Sequence, residues 1–149
     1  MKKVDKCVEL LKSEIGGKDN LEVACGGAEF SFSASKYAKS ATCIDLDESR
    51  INGKALPRNV RFEKMNAACM NYPNESFDNV FLYNALFHVK EEWDEIEKEC
   101  RRVLRPDGSI YIIGTWKLDT NLMLEIFGER ANWYDEFLVV RKEKKEIII

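Results

Sequence analysis

The sequence is poor in the residues that build several common kinds of site. It has a single histidine, His88, and none of its five cysteines forms a CxxC pair, so we expect no metal site. Lysine and arginine number 23 against 26 acidic residues. Without a basic excess, nucleic acid is not an expected partner. No apolar run reaches the roughly 18 residues that a membrane-spanning helix needs.

The scattered cysteines and the charged N-terminal stretch predict the compartment of the protein. Free thiols at scattered positions are typical of proteins in a reducing environment. Charged residues interrupt the stretch after Met1-Lys2-Lys3, which therefore lacks the apolar segment of a secretion signal. We expect a cytoplasmic protein that does not engage a membrane.

Strand-like and helical patterns alternate along the chain. Short apolar runs predict strands at 21–25, 41–45, 60–65, 80–83 and 110–113. Helical spacing of apolar residues predicts helices at 4–15, 30–38, 47–55, 93–104 and 118–126. This alternation predicts a doubly wound α/β fold with a parallel sheet and helices on both faces. Ligands of such sheets bind at the carboxyl ends of the strands.

The end of the chain predicts a closing β-hairpin. Gly128 is suited to end the last helix, because glycine accepts the left-handed conformation of a C-cap. Two strand-like runs, 136–140 and 146–149, flank the charged stretch 141–145, which we expect at the hairpin tip.

Length and composition predict one domain. With 149 residues, of which 45% are hydrophobic and 33% charged, the chain is typical of a single globular unit. We divide this domain, 1–149, into an N-terminal helix in 1–20, a cofactor-binding core in 21–114, and a helix plus closing hairpin in 115–149.

A bend of small residues follows the first predicted strand. The chain reads EVACGGA from Glu22 to Ala28, and small side chains let a backbone approach a ligand closely. The N-terminus of the next helix would add free N–H groups. The bend does not match GxGxxG, and a plain tight turn explains it equally well.

Asp45 ends the second predicted strand. It lies close to the offset of about 20 residues at which an acid reaches ribose hydroxyls. A carboxylate there can accept two hydrogen bonds from a cis-diol. Alternatively, Asp45 caps the next helix, a task that Asp47 could perform instead. The bend and Asp45 by themselves would suit a nicotinamide cofactor as well.

Further segments favour another cofactor. Residues 21–45, LEVACGGAEFSFSASKYAKSATCID, resemble the first two motifs of class I S-adenosylmethionine-dependent methyltransferases, in particular the small type 11-like ones. NAACMNYPNESFD at 66–78 is similar to the family's "DA…LP…SFD" segment, and ECRRVLRPDG at 99–108 to its "E..RVLKPGG" segment. NALFHV at 84–89 falls where the family often carries "lhHv". The resemblance spans about 21–114, and the order of the motifs makes it specific.

The resemblance implies a Rossmann-like, three-layer sheet of seven strands whose last strand is antiparallel. It also implies S-adenosylmethionine as cofactor and S-adenosylhomocysteine as product. The turn at Ala24, Cys25 and Gly26 would cradle the methionine part of the cofactor. Glu22 would support its ammonium group, directly or through water.

The nucleoside part has its own implied partners. Asp45 would hold the ribose, and Leu46 would lie beside the adenine. Asn66 would contact the adenine amino group, and the N–H of Ala67 would contact a ring nitrogen of the adenine.

The chain also departs from the family pattern. Ala24 and Ala28 stand where the family usually has glycine, and alanine resists a positive φ. Asn66 stands where an aspartate is usual, and an amide lacks the charge. These departures motivate an alternative: a cofactor-binding module or scaffold with weakened catalysis.

The implied reaction asks little of the protein. Methyl transfer from a sulfonium is an in-line displacement, for which alignment of the acceptor matters most. A general base is needed only for a protonated, weakly acidic acceptor. His88 could be that base, or it could be a packing or helix-start residue. By register, Tyr83 and Asn84 should line the pocket.

We expect a methyltransferase acting on a small-molecule acceptor. Aromatic side chains could form an apolar acceptor site or belong to the core; they are Tyr72, Phe87, Trp116 and Trp133. Little sequence is available for a lid, since only 115–120 separates the fifth strand from the next helix. The site should therefore be open, which would suit a large acceptor or a second subunit that covers it in a homodimer; a small-molecule acceptor is the favoured expectation.

Overall fold

The computed structural model describes residues 1–147. Its strands form a sheet of seven in the order β3-β2-β1-β4-β5-β7-β6. The strands are β1 (Asp19–Val23), β2 (Ser40–Asp45), β3 (Val60–Lys64), β4 (Phe77–Tyr83), β5 (Leu104–Gly114), β6 (Ala131–Tyr134) and β7 (Phe137–Glu143). The pairs among β1 to β5 are parallel, whereas β7 runs antiparallel to β5 and to β6. The predicted α/β fold with an antiparallel last strand is confirmed.

Helices cover both faces of the sheet. They are α1 (Lys3–Leu10), α2 (Lys12–Ile15), α3 (Glu29–Ala34), α4 (Leu86–Val89), α5 (Trp93–Val103), α6 (Lys117–Phe127) and α7 (Lys144–Ile147). Val80 and Leu82 of β4 share a buried cluster with α5 and α6. Phe81, which lies between them, belongs to the cluster of α1 and α3. Successive residues of a strand point to opposite faces, so β4 anchors both helical layers.

The segment between β2 and β3 contains turns rather than the predicted helix at 47–55. The Asp47 carboxylate accepts a hydrogen bond from the Ser49 backbone N–H at 2.9 Å, a local bond that competes with helix formation. Gly53 has a φ of 82°, which a right-handed helix does not allow. This prediction was wrong because these local turn preferences outweighed the helical spacing.

The closing hairpin lies earlier in the chain than predicted. It joins β6 to β7, with Tyr134 paired to Phe137 and Asp135 at a φ of 56° in the turn. The charged stretch 141–145 is not a hairpin tip, because its first part extends β7 along β5 until Glu143 pairs with Ser109. The predicted strand at 146–149 is a helix, α7, as far as Ile147, and 148–149 lie outside the described residues.

The turn signature at 105–108 forms a bulge in β5. Phe77 pairs with Leu104, and the next pair joins Asn79 to Ser109. A Cβ on Gly108 would lie 2.7 Å from the backbone oxygen of Asp78, so the motif needs glycine there. The bulge places Arg105 at the amino ends of the strands, where it binds Asp19 and Asp78. None of the described helices is long and apolar enough to cross a membrane.

Candidate active site

A crevice of about 550 Å³ opens at the carboxyl ends of the central strands. Its volume is in the range typical of small-molecule sites. All the predicted site residues line it; they are Glu22, Ala24, Cys25, Gly26, Asp45, Leu46, Asn66, Ala67, Tyr83, Asn84 and His88. They come from four separate stretches of the chain, which the sheet topology brings together. What each of them binds remains a prediction.

The bend after β1 adopts a left-handed conformation at both alanines. Ala24, Gly26 and Ala28 have φ values of 54°, 55° and 59°. A non-glycine residue in this region costs about 1–2 kcal/mol, so Ala24 and Ala28 hold the turn under strain. Cys25 belongs to a buried cluster with Cys43 and also lines the crevice.

Asp45 is connected directly to this bend. Its Oδ2 accepts a hydrogen bond from the Gly26 N–H at 2.8 Å, and its Oδ1 accepts one from the Asp47 N–H at 2.9 Å. No helix follows for Asp45 to cap, so the alternative role as an N-cap is excluded. Each carboxylate oxygen retains a further lone pair, which suits it to accept from hydroxyl groups.

Glu22 is a buried carboxyl group at the floor of the crevice. Its side chain is 3% exposed, and its Oε1 accepts hydrogen bonds from the backbone N–H and the Oγ of Ser31, at 3.1 and 2.7 Å. Burial raises the pKa of Glu22 from 4.5 to about 8, despite the opposing hydrogen bonds from Ser31. The group therefore holds its proton near neutral pH while no cation lies beside it.

The residues predicted to bind the nucleoside differ in their exposure. Leu46 is 65% exposed, which leaves an apolar side chain available to a flat ligand. Asn66 is also exposed, and its Oδ1 accepts a hydrogen bond from the Ala68 N–H at 2.9 Å. The Asn66 amide nitrogen donates to none of the residues in 1–147. Ala67 is buried beneath them.

Asn84 fixes the loop between β5 and α6. It has a φ of 51°, and its Oδ1 accepts a hydrogen bond from the Thr115 N–H at 2.7 Å while its Nδ2 donates to the Thr115 Oγ1 at 2.8 Å. This places Trp116, 58% exposed, on the crevice rim. Asn84 thus lines the crevice, and its amide is largely occupied in holding this rim.

Tyr83 and His88 flank Asn84 at the same end of the crevice. Burial raises the pKa of Tyr83, so its hydroxyl stays protonated. His88 lies exposed in α4, and only its backbone N–H, which donates to the Ala85 oxygen, makes a hydrogen bond among the described residues. The exposed His88 side chain is therefore available to a ligand, whereas the half-buried Tyr83 ring packs against Phe30 and forms part of the crevice wall.

The proposed aromatic acceptor site is only partly assembled. Of the four residues predicted for it, Tyr72, Phe87, Trp116 and Trp133, only Trp116 is among the residues of 1–147 that line the crevice. Tyr72 donates its hydroxyl hydrogen to Glu63 at 2.7 Å and packs edge-on against Phe77. Trp133 is exposed on the edge strand β6.

Arg50 is a crevice residue that the sequence did not reveal. A Cβ built on Gly26 would lie 2.6 Å from its Nη1, and one on Gly27 would lie 3.3 Å from its Nη2. The absence of side chains in the bend thus makes room for a guanidinium. Arg50 lies within the helix predicted at 47–55, and a helix there gives no reason to expect its side chain over the bend. The sequence therefore carries no clear signal for its position.

Comparison with known proteins places these residues in context. Residues 21–112 match the model of a family described as "Methyltransferase domain". A demethylmenaquinone methyltransferase of Lactobacillus johnsonii is 27% identical, over 64% of this chain and 43% of that protein. A 27-O-demethylrifamycin SV methyltransferase of Amycolatopsis mediterranei is 31% identical, over 60% of this chain and 36% of that protein. The chain thus spans less than half the length of these relatives.

A solved structure extends the likeness over nearly the whole chain. The crystal structure of a SAM-dependent methyltransferase from Aquifex aeolicus is similar with a TM-score of 0.68 and 18% identity, covering 92% of this chain and 88% of that one. At this identity the likeness concerns the fold.

Proposed function

This chain belongs to the methyltransferase domain family, and we propose that it transfers a methyl group from S-adenosylmethionine to a small-molecule acceptor. The observation that carries the proposal is the bond between Asp45 and Gly26. It holds a carboxylate and a bend of small residues together at the carboxyl ends of β1 and β2. A nucleoside with an amino-acid tail needs both features next to each other.

The crevice fits such a cofactor. Leu46 presents an open apolar surface. Gly26 and Gly27 carry no side chains, and the groups that lie over them are the ends of the flexible Arg50 and Lys54 side chains, which can move for a ligand. In the proposal, Asp45 holds the ribose, and Asn66 and Ala67 bind the edge of the adenine. The bend from Ala24 to Gly26 binds the amino-acid tail. Glu22 lies at the floor of the same bend, where it would support the tail's ammonium group, directly or through water.

The sulfonium of the cofactor supplies a methyl group that is already activated toward an in-line displacement. The chain then has to orient an acceptor and exclude water. Tyr83, His88 and Trp116 are available for this at one end of the crevice. His88 would accept the acceptor's proton where the acceptor atom is weakly acidic. The names of the curated relatives refer to small molecules, which supports an acceptor of that size.

A catalytically weakened cofactor-binding module is the second candidate. The strained φ values of Ala24 and Ala28 favour it, because strain in the bend leaves less freedom to adjust to a ligand. Turnover separates the two candidates. Formation of S-adenosylhomocysteine with any member of a panel of phenols, amines and thiols supports the enzyme, and binding without turnover supports the module.

A thermal-shift experiment tests the cofactor. A ligand at about 100 times its dissociation constant adds about 2.7 kcal/mol to the free energy of unfolding. S-adenosylmethionine and S-adenosylhomocysteine should raise the melting temperature, and NAD should not. Stabilisation by NAD alone would contradict the proposal and favour a nicotinamide cofactor.

The remaining expectations belong to the same proposal. We take 1–149 as one methyltransferase domain of a cytoplasmic protein, with neither nucleic acid nor a membrane as partner. A homodimer would cover the open rim at Trp116. Sedimentation analysis with and without S-adenosylhomocysteine tests this, and a monomer in both states would argue against a shared cover.

A further inference from the structure

The charged groups around the crevice are of unequal sign. Carboxylates line it from several elements, in addition to the buried carboxyl group of Glu22; they are Glu29, Asp45, Asp47 and Glu92. Within the described part of the chain, Arg50 is the one lysine or arginine that lines it. Lys54 lies beside the same bend, with its Nζ 3.2 Å from a Cβ built on Gly27, but this Nζ donates to the Gly27 oxygen at 3.0 Å. Arg50 is thus the positive charge that faces the crevice itself.

Arg50 lies against the bend itself. Its Nη1, Nη2 and Nε lie within 2.6 to 3.6 Å of Cβ positions built on Gly26 and Gly27. The guanidinium forms no ion pair or hydrogen bond with any group in residues 1–147. Its donors are therefore free, although it lies over the segment that the proposed function assigns to the cofactor's tail.

The backbone of the bend has few donors left for an anion. The N–H of Cys25 donates to the Ile44 oxygen at 3.0 Å, and that of Ala28 to the Cys25 oxygen at 2.8 Å. The N–H of Gly26 donates to Asp45. Within residues 1–147 the Gly27 N–H has no such acceptor, so a carboxylate placed on this bend finds that N–H and the guanidinium of Arg50.

We propose that Arg50 binds the carboxylate of the cofactor's amino-acid tail. The inference rests on the proposed function and assigns a specificity-determining residue to its site. A guanidinium and a carboxylate pair through two parallel hydrogen bonds. The pair sets the chain's preference for nucleosides that carry the complete tail over those that have lost the carboxylate.

The test compares two ligands that differ only in the carboxylate. S-adenosylmethionine and decarboxylated S-adenosylmethionine are titrated by calorimetry into the wild-type chain, Arg50→Met and Arg50→Lys. Arg58→Met is the matched control, because Arg58 is an exposed arginine of the same linker that does not line the crevice. The readout is the ratio of the two dissociation constants, which does not require turnover.

The wild-type chain should prefer S-adenosylmethionine. Arg50→Met should weaken its binding about ten- to a hundredfold, as expected for hydrogen bonds to a charged group, and leave the decarboxylated ligand within about twofold. Arg50→Lys should lose less affinity for S-adenosylmethionine than Arg50→Met. Arg58→Met should retain the wild-type ratio of the two dissociation constants. Equal losses for both ligands, or no loss in Arg50→Met, would overturn the proposal. Failure of the wild-type chain to bind either ligand would instead overturn the proposed function and the inference with it.

Discussion

The carboxylate of Asp45 accepts a hydrogen bond from the backbone N–H of Gly26, with 2.8 Å between Oδ2 and the amide nitrogen. This bond joins the end of β2 to the bend after β1. Because the Asp47 N–H holds the other oxygen, the carboxylate is oriented before a ligand arrives. Such preorganisation lowers the ordering cost of binding.

Two substitutions of Asp45 should separate its contribution to ligand binding from its contribution to folding stability. Asp45→Ala should weaken S-adenosylhomocysteine binding at least tenfold and lower the free energy of unfolding by about 1 kcal/mol, because the Gly26 N–H loses its acceptor. Asp45→Asn keeps one acceptor oxygen for Gly26, so it should retain stability and still lose affinity. Calorimetry and urea unfolding measure the two effects. Unchanged affinity in Asp45→Ala would remove the ribose assignment.

The two strained alanines should respond differently to glycine. At Ala24, glycine relieves a left-handed strain of about 1–2 kcal/mol and loses about 0.5–1 kcal/mol to backbone entropy. Ala24→Gly should therefore be neutral to stabilising by up to about 1.5 kcal/mol. Ala28 is 0% exposed, and its buried methyl contributes about 0.8 kcal/mol, so Ala28→Gly should be less stable than Ala24→Gly. Urea unfolding checks the order, and the reverse order would contradict it.

The buried carboxyl group of Glu22 should make stability depend on pH. Its pKa is about 8 in the folded chain against 4.5 for the exposed group, because of burial. The folded state therefore binds more protons between these values, and the free energy of unfolding should fall as pH rises from about 4.5 to about 8. Glu22→Gln should flatten this dependence.

The matched control for Glu22 is Glu29→Gln, an exposed carboxylate of the same crevice. It should leave the slope of unfolding free energy against pH nearly unchanged, because the Glu29 charge contributes least among the causes of the raised pKa of Glu22, of which burial is the largest. A slope that survives in Glu22→Gln would show that another group is responsible.

Two arginines of α5 offer a direct comparison. Arg102 donates to the backbone oxygens of Met70 and Tyr72, at 3.1 and 2.7 Å, and forms an ion pair with Glu99. Arg102→Ala should lower the free energy of unfolding by about 1–3 kcal/mol. Arg101→Ala should change it little, because the Arg101 Nε has no hydrogen-bond partner among the described residues. Similar losses of unfolding free energy in both variants would show that the contacts of Arg102 with Met70, Tyr72 and Glu99 do not carry this stability.

The sequence predicted the elements that depend on local pattern. Runs of apolar residues located β1 to β4 and the second half of β5, but not the first half of β5 from Leu104 onward. The resemblance selected residues that line one crevice. Both inferences concern short segments whose side chains alternate between two faces or form a continuous apolar run.

Features that depend on distant contacts were not predictable in this way. The charged stretch at 141–145 predicts a hairpin tip, whereas pairing with the distant strand β5 makes its first part the end of β7. The motif at 99–108 was recognised as a helix and turn, whereas the contacts of Glu99 and Arg102 with the loop at 70–74 appear only in three dimensions. Arg50 was missed for the same reason.

A crystal structure of the chain with S-adenosylhomocysteine tests the central claim most directly. The account predicts the nucleoside across the ends of β1 and β2, with its ribose hydroxyls on Asp45 and its amino-acid tail on the bend from Ala24 to Gly26. An empty crevice at saturating ligand, or a nucleoside bound elsewhere with Asp45 still bonded only to backbone, would contradict it.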